Sequence, residues 1–234
     1  MNSHFQDKTK LVNNVFDKVY KKYDLMNDVM SFGIHRIWKK NLVNWMNPHN
    51  SSRLIDVASG TGDLAKIFSE RNNNNSPIVC VEPNEGMLKM GKLKLEKYNN
   101  IKWVHASAEK LPFKDNSFDF YTISYGIRNV TNINLCLKEA FRVLNTGGRF
   151  MCLEFSKIEN EFLNKAYKEY SKLIPVIGKY IVGSSMPYDY LVDSINKFYN
   201  QEELQKLMEI NGFSSVEFRN LSNGISAIHS GWKI

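Results

Sequence analysis

The sequence has 234 residues, which is enough for one α/β domain with a sizeable core. Its hydrophobic fraction of 43% and charged fraction of 24% are ordinary for a soluble globular protein, and no stretch approaches the length of a membrane span. A formal net charge of +7 favours acidic partners, either nucleic acid or an anionic membrane surface, although a solvated lysine-rich surface is its commoner cause.

The chain opens with two predicted amphipathic helices before any strand. In the first, apolar residues recur at helical spacing over residues 11–23, and lysines fill the opposite face. This helix either packs on the core or covers a pocket as a lid. The second helix is expected to end before Pro48. Its apolar face is formed by Trp38, Leu42, Trp45 and Met46.

A strand, a glycine turn and a helix follow at residues 53–68, and the rest of the chain is organised around them. Residues 53–57 are mainly apolar, apart from Arg53 and Asp56, and predict a buried strand. Gly60 and Gly62 allow a sharp turn and the close approach of a ligand. Asp63 is predicted to cap the helix. Together these residues predict a nucleotide-type binding corner.

The charges at this corner indicate which ligand it binds. Residues 60–65 fit the G-x-G-x-x-G/A pattern of NAD-binding enzymes, with Glu82 at a plausible spacing for a ribose carboxylate. However, Asp56 and Asp63 flank the turn and would repel a pyrophosphate. A ligand with a cationic ammonium and sulfonium, S-adenosylmethionine (SAM), is favoured over NAD and over an empty tight turn. The corner resembles motif I of the class I SAM-dependent methyltransferases, although Ala58 replaces that family's usual first glycine.

The remaining pattern predicts five β-α units and a terminal hairpin. A helix over 135–144 is expected to end at Gly147-Gly148, and the last two strands are joined through Asn223-Gly224. This alternation predicts a doubly wound, mostly parallel, Rossmann-like seven-stranded sheet with an antiparallel C-terminal hairpin, the class I methyltransferase fold. The expected strands cover 53–57, 78–82, 101–105, 120–124, 149–155, 213–221 and 225–232.

We expect a single domain over 1–234. Residues 1–50 would form an N-terminal helical lid, and residues 157–200 a helical insertion over the pocket. Ligands of open α/β sheets bind at the carboxyl ends of the strands. The residues from 107 onward resemble the adenine-binding turn of class I methyltransferases. The predicted SAM-binding residues are Asp56, Gly60, Thr61, Gly62, Glu82, Ser107, Ala108 and Ser124.

Three runs resemble a narrower family, the ubiquinone/menaquinone biosynthesis C-methyltransferases. Residues 23–38 match its first signature, residues 126–130 its Gly-x-Arg-Asn-Val run, and residues 142–156 its second signature, with Asn-Thr for the usual Lys-Pro at 145–146. The resemblance extends from about residue 23 to 233. It implies methyl transfer from SAM to a ring carbon of a polyprenyl quinol, either 2-methoxy-6-polyprenyl-1,4-benzoquinol or demethylmenaquinol or both.

This resemblance also implies roles for individual residues. Arg128, with Asn129 beside it, would stabilise the ionised quinol oxygen. A structural ion pair between Arg128 and Asp24 or Asp119 is the alternative. His35 taken singly is more typical of a structural residue. No metal is required, and no cluster of metal ligands is visible. The candidates for the base that removes the ring proton are Tyr23, His35 and a water held by Arg128.

The expected partners are a polyprenyl quinol and an anionic membrane surface bound peripherally, not nucleic acid. A homodimer and contacts with other quinone-biosynthesis enzymes stay open. Cys80, Cys136 and Cys152 are dispersed in apolar contexts, and the N-terminus lacks a signal-peptide pattern, so a cytoplasmic location is expected.

Three alternative functions are retained. A methyltransferase acting on another small molecule or on RNA would not need the signature at 23–38. An NAD-dependent oxidoreductase would bind NADH instead of SAM. A non-catalytic scaffold of the same fold should have lost Asp56, Gly60 or Arg128, and the chain keeps all three.

Overall fold

A seven-stranded mixed sheet forms the centre of the computed structural model, which describes residues 12, 15, 28, 31, 33–165, 167, 169–171 and 186–234. The strands are β1 Leu54–Val57, β2 Ile78–Val81, β3 Ile101–Val104, β4 Phe118–Ser124, β5 Leu144–Phe155, β6 Ser214–Leu221 and β7 Ser226–Trp232. Their order across the sheet is β3-β2-β1-β4-β5-β7-β6. Strands β1 to β5 pair in parallel, whereas β7 runs antiparallel to both β5 and β6. The predicted fold class is confirmed.

Helices cover both faces of the sheet, because successive side chains of a strand point to opposite sides. Leu54 of β1 belongs to one apolar core and its neighbour Ile55 to the other. Met151 and Cys152 of β5 divide in the same way. The helices with assigned bounds are α1 His35–Met46, α2 Asp63–Arg71, α3 Glu85–Lys94, α4 Ile133–Val143, α5 Met186–Lys197 and α6 Gln201–Ile210, with 3-10 turns at Ile127–Asn129 and Ser222–Gly224. Residues 161–165 and 169–171 are also helical. Helices α1, α2 and α5 contribute to the first core, and α4 and α6 to the second.

The start of β5 differs from the prediction. Helix α4 ends at Val143 and the strand begins at once at Leu144, so Gly147 and Gly148 lie inside the strand and do not end the helix. The chain terminus explains the difference, because Gly147 N donates to the carbonyl of Lys233 and Lys233 N donates to that of Gly148. The glycine pair is thus held in the strand by backbone hydrogen bonds to Lys233, a residue distant in sequence, which local sequence patterns cannot predict.

Two further expectations at the sheet edge and the corner are wrong. Residues 105–117 join β3 to β4 without an α-helix, so one expected β-α unit has no helix. Helix α2 has Gly62 at its N-cap position, at φ 84°, without a side-chain cap. Asp63 is the first residue inside the helix, and its carboxylate forms ion pairs with Lys39 and Lys94.

The N-terminal part of the chain is described only in part. Residues 12 and 15 of the predicted first helix are helical, whereas Tyr23 lies outside the described residues, as do residues 172–185 of the predicted insertion. Helix α1 confirms the second predicted helix. Arg149 of β5 anchors this helix, since its guanidinium donates to the Trp45 carbonyl and stacks between the Trp45 and Trp232 rings.

The remaining composition-based expectations concern thiols and membrane spans. All three cysteines are buried and free, as predicted. Within the part of the chain that the structure describes, none of the helices combines the length and apolar character needed to cross a bilayer.

Candidate active site

A cleft opens where β1 and β4 lie side by side, at their carboxyl ends. From this point the chain builds β2 and β3 on one side and β5, β7 and β6 on the other, which makes it the topological switch point where open α/β sheets bind ligands. Asp56 is in β1 and Ser124 ends β4. The cleft is lined by Lys39, Asp56, Ala58, Ser59, Gly60, Thr61, Asp63, Leu64, Ser124 and Tyr125.

Asp56 and Ser124 bring buried polar atoms to this cleft. Oδ1 of Asp56 accepts a hydrogen bond from Thr122 Oγ1 at 2.7 Å, while Oδ2 has no hydrogen-bond partner among the described residues. The hydroxyl of Ser124 is also buried without a partner there. Burial raises the pKa of Asp56 to about 7. Since buried polar groups are normally satisfied, these atoms indicate a ligand that supplies donors.

Glu82 shapes the glycine turn from the next strand. One carboxylate oxygen accepts from Gly60 N at 2.8 Å, and the other accepts from Asn84 N at 2.9 Å. The carboxylate is buried, which raises the pKa of Glu82 to about 7. Its hydrogen bond from Gly60 N helps to hold Gly60 in the left-handed conformation, at φ 58°. Its predicted contact with the ribose stays a prediction.

Gly62 is required by packing as well as by conformation. A Cβ at this position would lie 2.5 Å from Leu95 Cδ1 and 3.0 Å from the Trp103 ring. Its φ of 84° is also unfavourable for other residues. The neighbouring Thr61 lines the cleft and accepts a hydrogen bond from Lys94 through its hydroxyl.

Asp63 carries two lysine partners. Its Oδ2 lies 3.1 Å from Lys39 Nζ, and its Oδ1 lies 2.6 Å from Lys94 Nζ. Burial alone would raise the pKa of Asp63, but the two ammonium groups hold that pKa well below its ordinary value. The carboxylate is therefore ionised, and helix α1 is tied to helix α2 beside the cleft.

The predicted adenine-binding turn lies after β3 and does not line the cleft. The carbonyl of Ser107 accepts from Lys110 N at 3.3 Å. Ala108 is buried in the second core with Leu111. Their contacts with an adenine ring stay predictions.

Arg128 lies in the 3-10 turn after β4 and is held in a buried ion pair. Its Nη1 lies 2.6 Å from Glu154 Oε1, and the two side chains are 3% and 2% exposed. The same nitrogen donates to the carbonyl of Tyr125, which lines the cleft. Burial raises the pKa of Glu154, and Arg128 opposes that rise. The structure thus fixes the guanidinium beside the cleft.

The ion pair of Arg128 differs from the alternative considered from sequence. Asp119 pairs with Arg53 and accepts from Asn145 instead. Asp24 lies outside the described residues. Asn129 is fixed separately, because its Oδ1 accepts from the Tyr190 hydroxyl of α5 at 3.1 Å.

His35 has a structural setting. It is buried, and its Nε2 lies 2.9 Å from Oδ1 of Asp28, which also pairs with Arg36. His35 does not line the cleft. Burial, with Lys39 nearby, lowers the pKa of His35 although Asp28 opposes this. Its role as a base stays a prediction, as does that of Tyr23.

Sequence reasoning missed Lys39, Glu154 and Tyr190. The first two left a signal that was overlooked: Lys39 falls on the apolar stripe of α1, and Glu154 stands inside an apolar strand. A charge within an apolar face is rarely buried without a partner, so either residue could have been marked. Tyr190 gave no such signal, because tyrosine is ordinary on a packed helix.

The sheet order, the switch-point cleft and the ligand-facing carboxylate define the class I SAM-dependent methyltransferase fold. Solved structures share it. A SAM-dependent methyltransferase from Thermotoga maritima, described as a possible histamine N-methyltransferase, is 23% identical, with TM-score 0.67 over 95% of this chain and 100% of that one. Phosphoethanolamine N-methyltransferase 2 from Haemonchus contortus, solved with SAM, is 13% identical, with TM-score 0.64 over 84% of this chain and 52% of that one.

The family follows from sequence comparison. The model of the ubiE/COQ5 methyltransferase family matches residues 3–233, and the chain belongs to that family. Two relatives carry the name ubiquinone/menaquinone biosynthesis C-methyltransferase UbiE. The protein of Brucella abortus strain S19 is 47% identical over 97% of this chain and 87% of its own length. That of Rickettsia bellii strain OSU 85-389 is 50% identical over 97% and 94%.

These findings identify the cofactor as SAM and the activity as C-methylation. The cleft fits that cofactor. The buried, unpartnered Oδ2 of Asp56 and hydroxyl of Ser124 suit an ammonium donor, and Glu82 holds open the turn beside them. The oxidoreductase and scaffold alternatives are thereby set aside.

Proposed function

We propose that the protein methylates a ring carbon of a polyprenyl quinol, 2-methoxy-6-polyprenyl-1,4-benzoquinol, demethylmenaquinol or both, in ubiquinone or menaquinone biosynthesis. The observation that carries the proposal is the identity of 47% and 50%, over nearly the whole chain, to proteins named for that reaction. The buried Arg128 beside the cofactor cleft agrees with it, since a phenol-type substrate needs a cation when it ionises.

The residues of the chain would divide the work. When bound, SAM supplies an electrophilic methyl group on its sulfonium. Asp56 and Ser124 would hold the cofactor at the switch point. Arg128 would stabilise the quinol oxygen as it becomes a phenolate, which raises electron density on the ring carbon. The Glu154 pair fixes the guanidinium before the substrate arrives, so little reorganisation is needed in the transition state.

Labelling tests this function directly. The protein is incubated with methyl-labelled SAM and quinol-containing lipid extract, and the labelled product is identified by mass spectrometry. We expect label in a polyprenyl quinol, on a ring carbon. An Asp56→Asn preparation is the background control. Label in RNA or in a water-soluble small molecule, with none in the quinol, would contradict the proposal.

We further propose that the protein works at an anionic membrane surface. The net charge of +7 and the exposed apolar side chains Phe162 and Ile37, which are 81% and 58% accessible, support this. Binding to anionic vesicles should weaken as salt rises, because exposed charges are screened. Phe162 belongs to the predicted insertion at 157–200, so Phe162→Ser should weaken binding more than Leu93→Ser, which removes an exposed apolar side chain outside it.

Vesicle sedimentation measures this binding. Equal binding to neutral and anionic vesicles, or none at low salt, would reject the membrane proposal. RNA should not compete with the vesicles. Self-association and contacts with other quinone-biosynthesis enzymes are further proposals, which sedimentation velocity and co-purification can address.

A further inference from the structure

Lys39 is an unusual lysine, because its side chain is 9% exposed. It lies on the buried face of α1, between His35 and Leu42, and it reaches the cofactor cleft. Among the described residues that line the cleft, it is the only basic one. A long cationic side chain is rarely kept this dry without a charged partner.

The partner in the structure does not account for Lys39. Its ammonium contacts Asp63 Oδ2 at 3.1 Å, but Lys94 already reaches the other oxygen of Asp63 at 2.6 Å. Lys39 therefore shares the Asp63 carboxylate with Lys94. An ammonium has more than one N–H donor, so Lys39 can keep Asp63 and still bind a second acceptor.

The cleft therefore presents both signs of charge. Asp56 offers a buried carboxylate oxygen without a protein partner, and Lys39 offers a buried ammonium. The two charged groups interact. Burial raises the pKa of Asp56, and the nearby Lys39 ammonium opposes that rise. A free α-amino acid group, with its ammonium and its carboxylate, complements this pattern. The methionine end of SAM is such a group.

We infer that Lys39 binds the carboxylate of the methionine end of SAM, while Asp56 receives its ammonium. The inference deepens the cofactor site and rests on SAM as the cofactor. It makes α1 a part of that site: a bound cofactor would join α1 to the strand β1 and to the turn that follows it. Lys39 is then a residue that distinguishes SAM from analogues without the carboxylate.

Two ligands and two variants test the role of Lys39. Titration calorimetry gives the Kd of SAM and of decarboxylated SAM, which keeps the ammonium and the sulfonium but lacks the carboxylate. In the unmodified protein we expect SAM to bind about 10- to 100-fold more tightly, the range for one charged hydrogen bond. In Lys39→Met this ratio should fall to near one, through loss of SAM affinity alone.

Lys94→Met is the matched control. It removes the other partner of Asp63, but Lys94 does not line the cleft and its side chain is 38% exposed. It should leave the ratio of the two Kd values unchanged. Lys39→Arg should retain most of the ratio, and it serves as the second variant if Lys39→Met does not fold.

The outcomes separate this inference from the cofactor assignment. If Lys39→Met weakens both ligands equally, or Lys94→Met lowers the ratio as much, Lys39 only supports the fold and the inference fails alone. If the unmodified protein binds neither ligand, the assignment of SAM to this cleft is wrong as well as the role of Lys39. If it binds both ligands equally, the carboxylate has no partner in the protein and the inference is wrong.

Discussion

Thr122 donates a hydrogen bond from Oγ1 to Oδ1 of Asp56 at 2.7 Å, between two neighbouring parallel strands. The two residues are register partners in β4 and β1, and both are buried. This bond orients the carboxylate and lowers the pKa of Asp56, against the larger effect of burial. Thr122 is thus a positioning residue for the carboxylate that faces the cofactor.

The affinity for SAM should depend on pH. Burial raises the pKa of Asp56 to about 7, and only its ionised form attracts an ammonium. SAM affinity should therefore rise as pH increases from about 6 to about 8, by up to about tenfold per unit below the pKa, and then level off. Calorimetry over this range measures it. In Asp56→Asn the affinity should be low and should rise less with pH, because only Glu82 still titrates beside the cofactor. A flat profile in the unmodified protein would refute the prediction.

The stability of the cofactor-free protein should show the opposite trend. Between its ordinary pKa of 3.8 and about 7, Asp56 holds a proton in the folded state that it loses in the unfolded state. The free energy of unfolding relative to Asp56→Asn should therefore fall as pH rises through this window, by about 1.4 kcal/mol per unit. Urea titrations check this.

Glu82→Gln should weaken both the fold and the cofactor site. The amide can accept only one of the N–H groups of Gly60 and Asn84, and its NH₂ group faces the other donor. We expect about 1–3 kcal/mol of lost stability and a weaker SAM affinity. Denaturant midpoints and calorimetry give both values, with the exposed Glu85→Gln as control. Reduced affinity with unchanged stability would show that Glu82 acts on the ribose alone.

Arg128 is expected to serve both structure and chemistry. Arg128→Ala should cost about 3–5 kcal/mol, because Glu154 is left buried and unpaired, and should lower turnover about 10²- to 10³-fold. Replacing both partners, Arg128→Met with Glu154→Leu, should recover part of the stability and none of the turnover. The recovery is partial because Glu154 also accepts from the backbone N–H groups of Arg128 and Phe155. SAM affinity should hardly change.

Melting temperature and labelled-product formation are measured on the same preparations of these variants. Recovery of turnover in the double variant would mean that the ion pair is only structural. Loss of turnover without loss of stability in Arg128→Ala would mean that the folded state tolerates a buried Glu154 carboxyl group without its Arg128 partner.

Ala58 and Gly126 should show strong coupling. Ala58 is left-handed, at φ 52°, and a Cβ on Gly126 would lie 2.6 Å from the Ala58 Cβ. Gly126→Ala alone should destabilise the protein, whereas Ala58→Gly should be neutral or stabilise it by up to about 1 kcal/mol. In the double variant the clash with Ala58 is absent, so the two effects should deviate from additivity by about 0.5–3 kcal/mol. A double-mutant cycle in urea that is additive would contradict this contact.

The sheet and its corner could be predicted because their signals are local. Short apolar runs predicted β1 and β2, and Asn223-Gly224 predicted the hairpin. The start of β5 could not be predicted, because it depends on backbone pairing with Lys233.

The same limit applied within the site. The partner of Arg128 is Glu154, and the two residues meet only after β4 and β5 pair. Lys39 and Asp63 likewise meet only through the packing of α1 on α2. Local patterns identified the residue types near the cleft, but the charges that each one faces are set by tertiary contacts.

The order of the last two strands constrains how the sheet can be completed. Strand β6 precedes β7 in the chain, yet β7 separates it from β5 in the sheet. Strand β6 therefore has no edge to join until β7 has formed, and it can enter the sheet only together with β7 or after it. Hairpins form in microseconds, whereas such docking waits for the distant strand β5. During synthesis β5 would remain an open edge until the hairpin arrives, so this interval is when nascent chains are most exposed to edge-to-edge association.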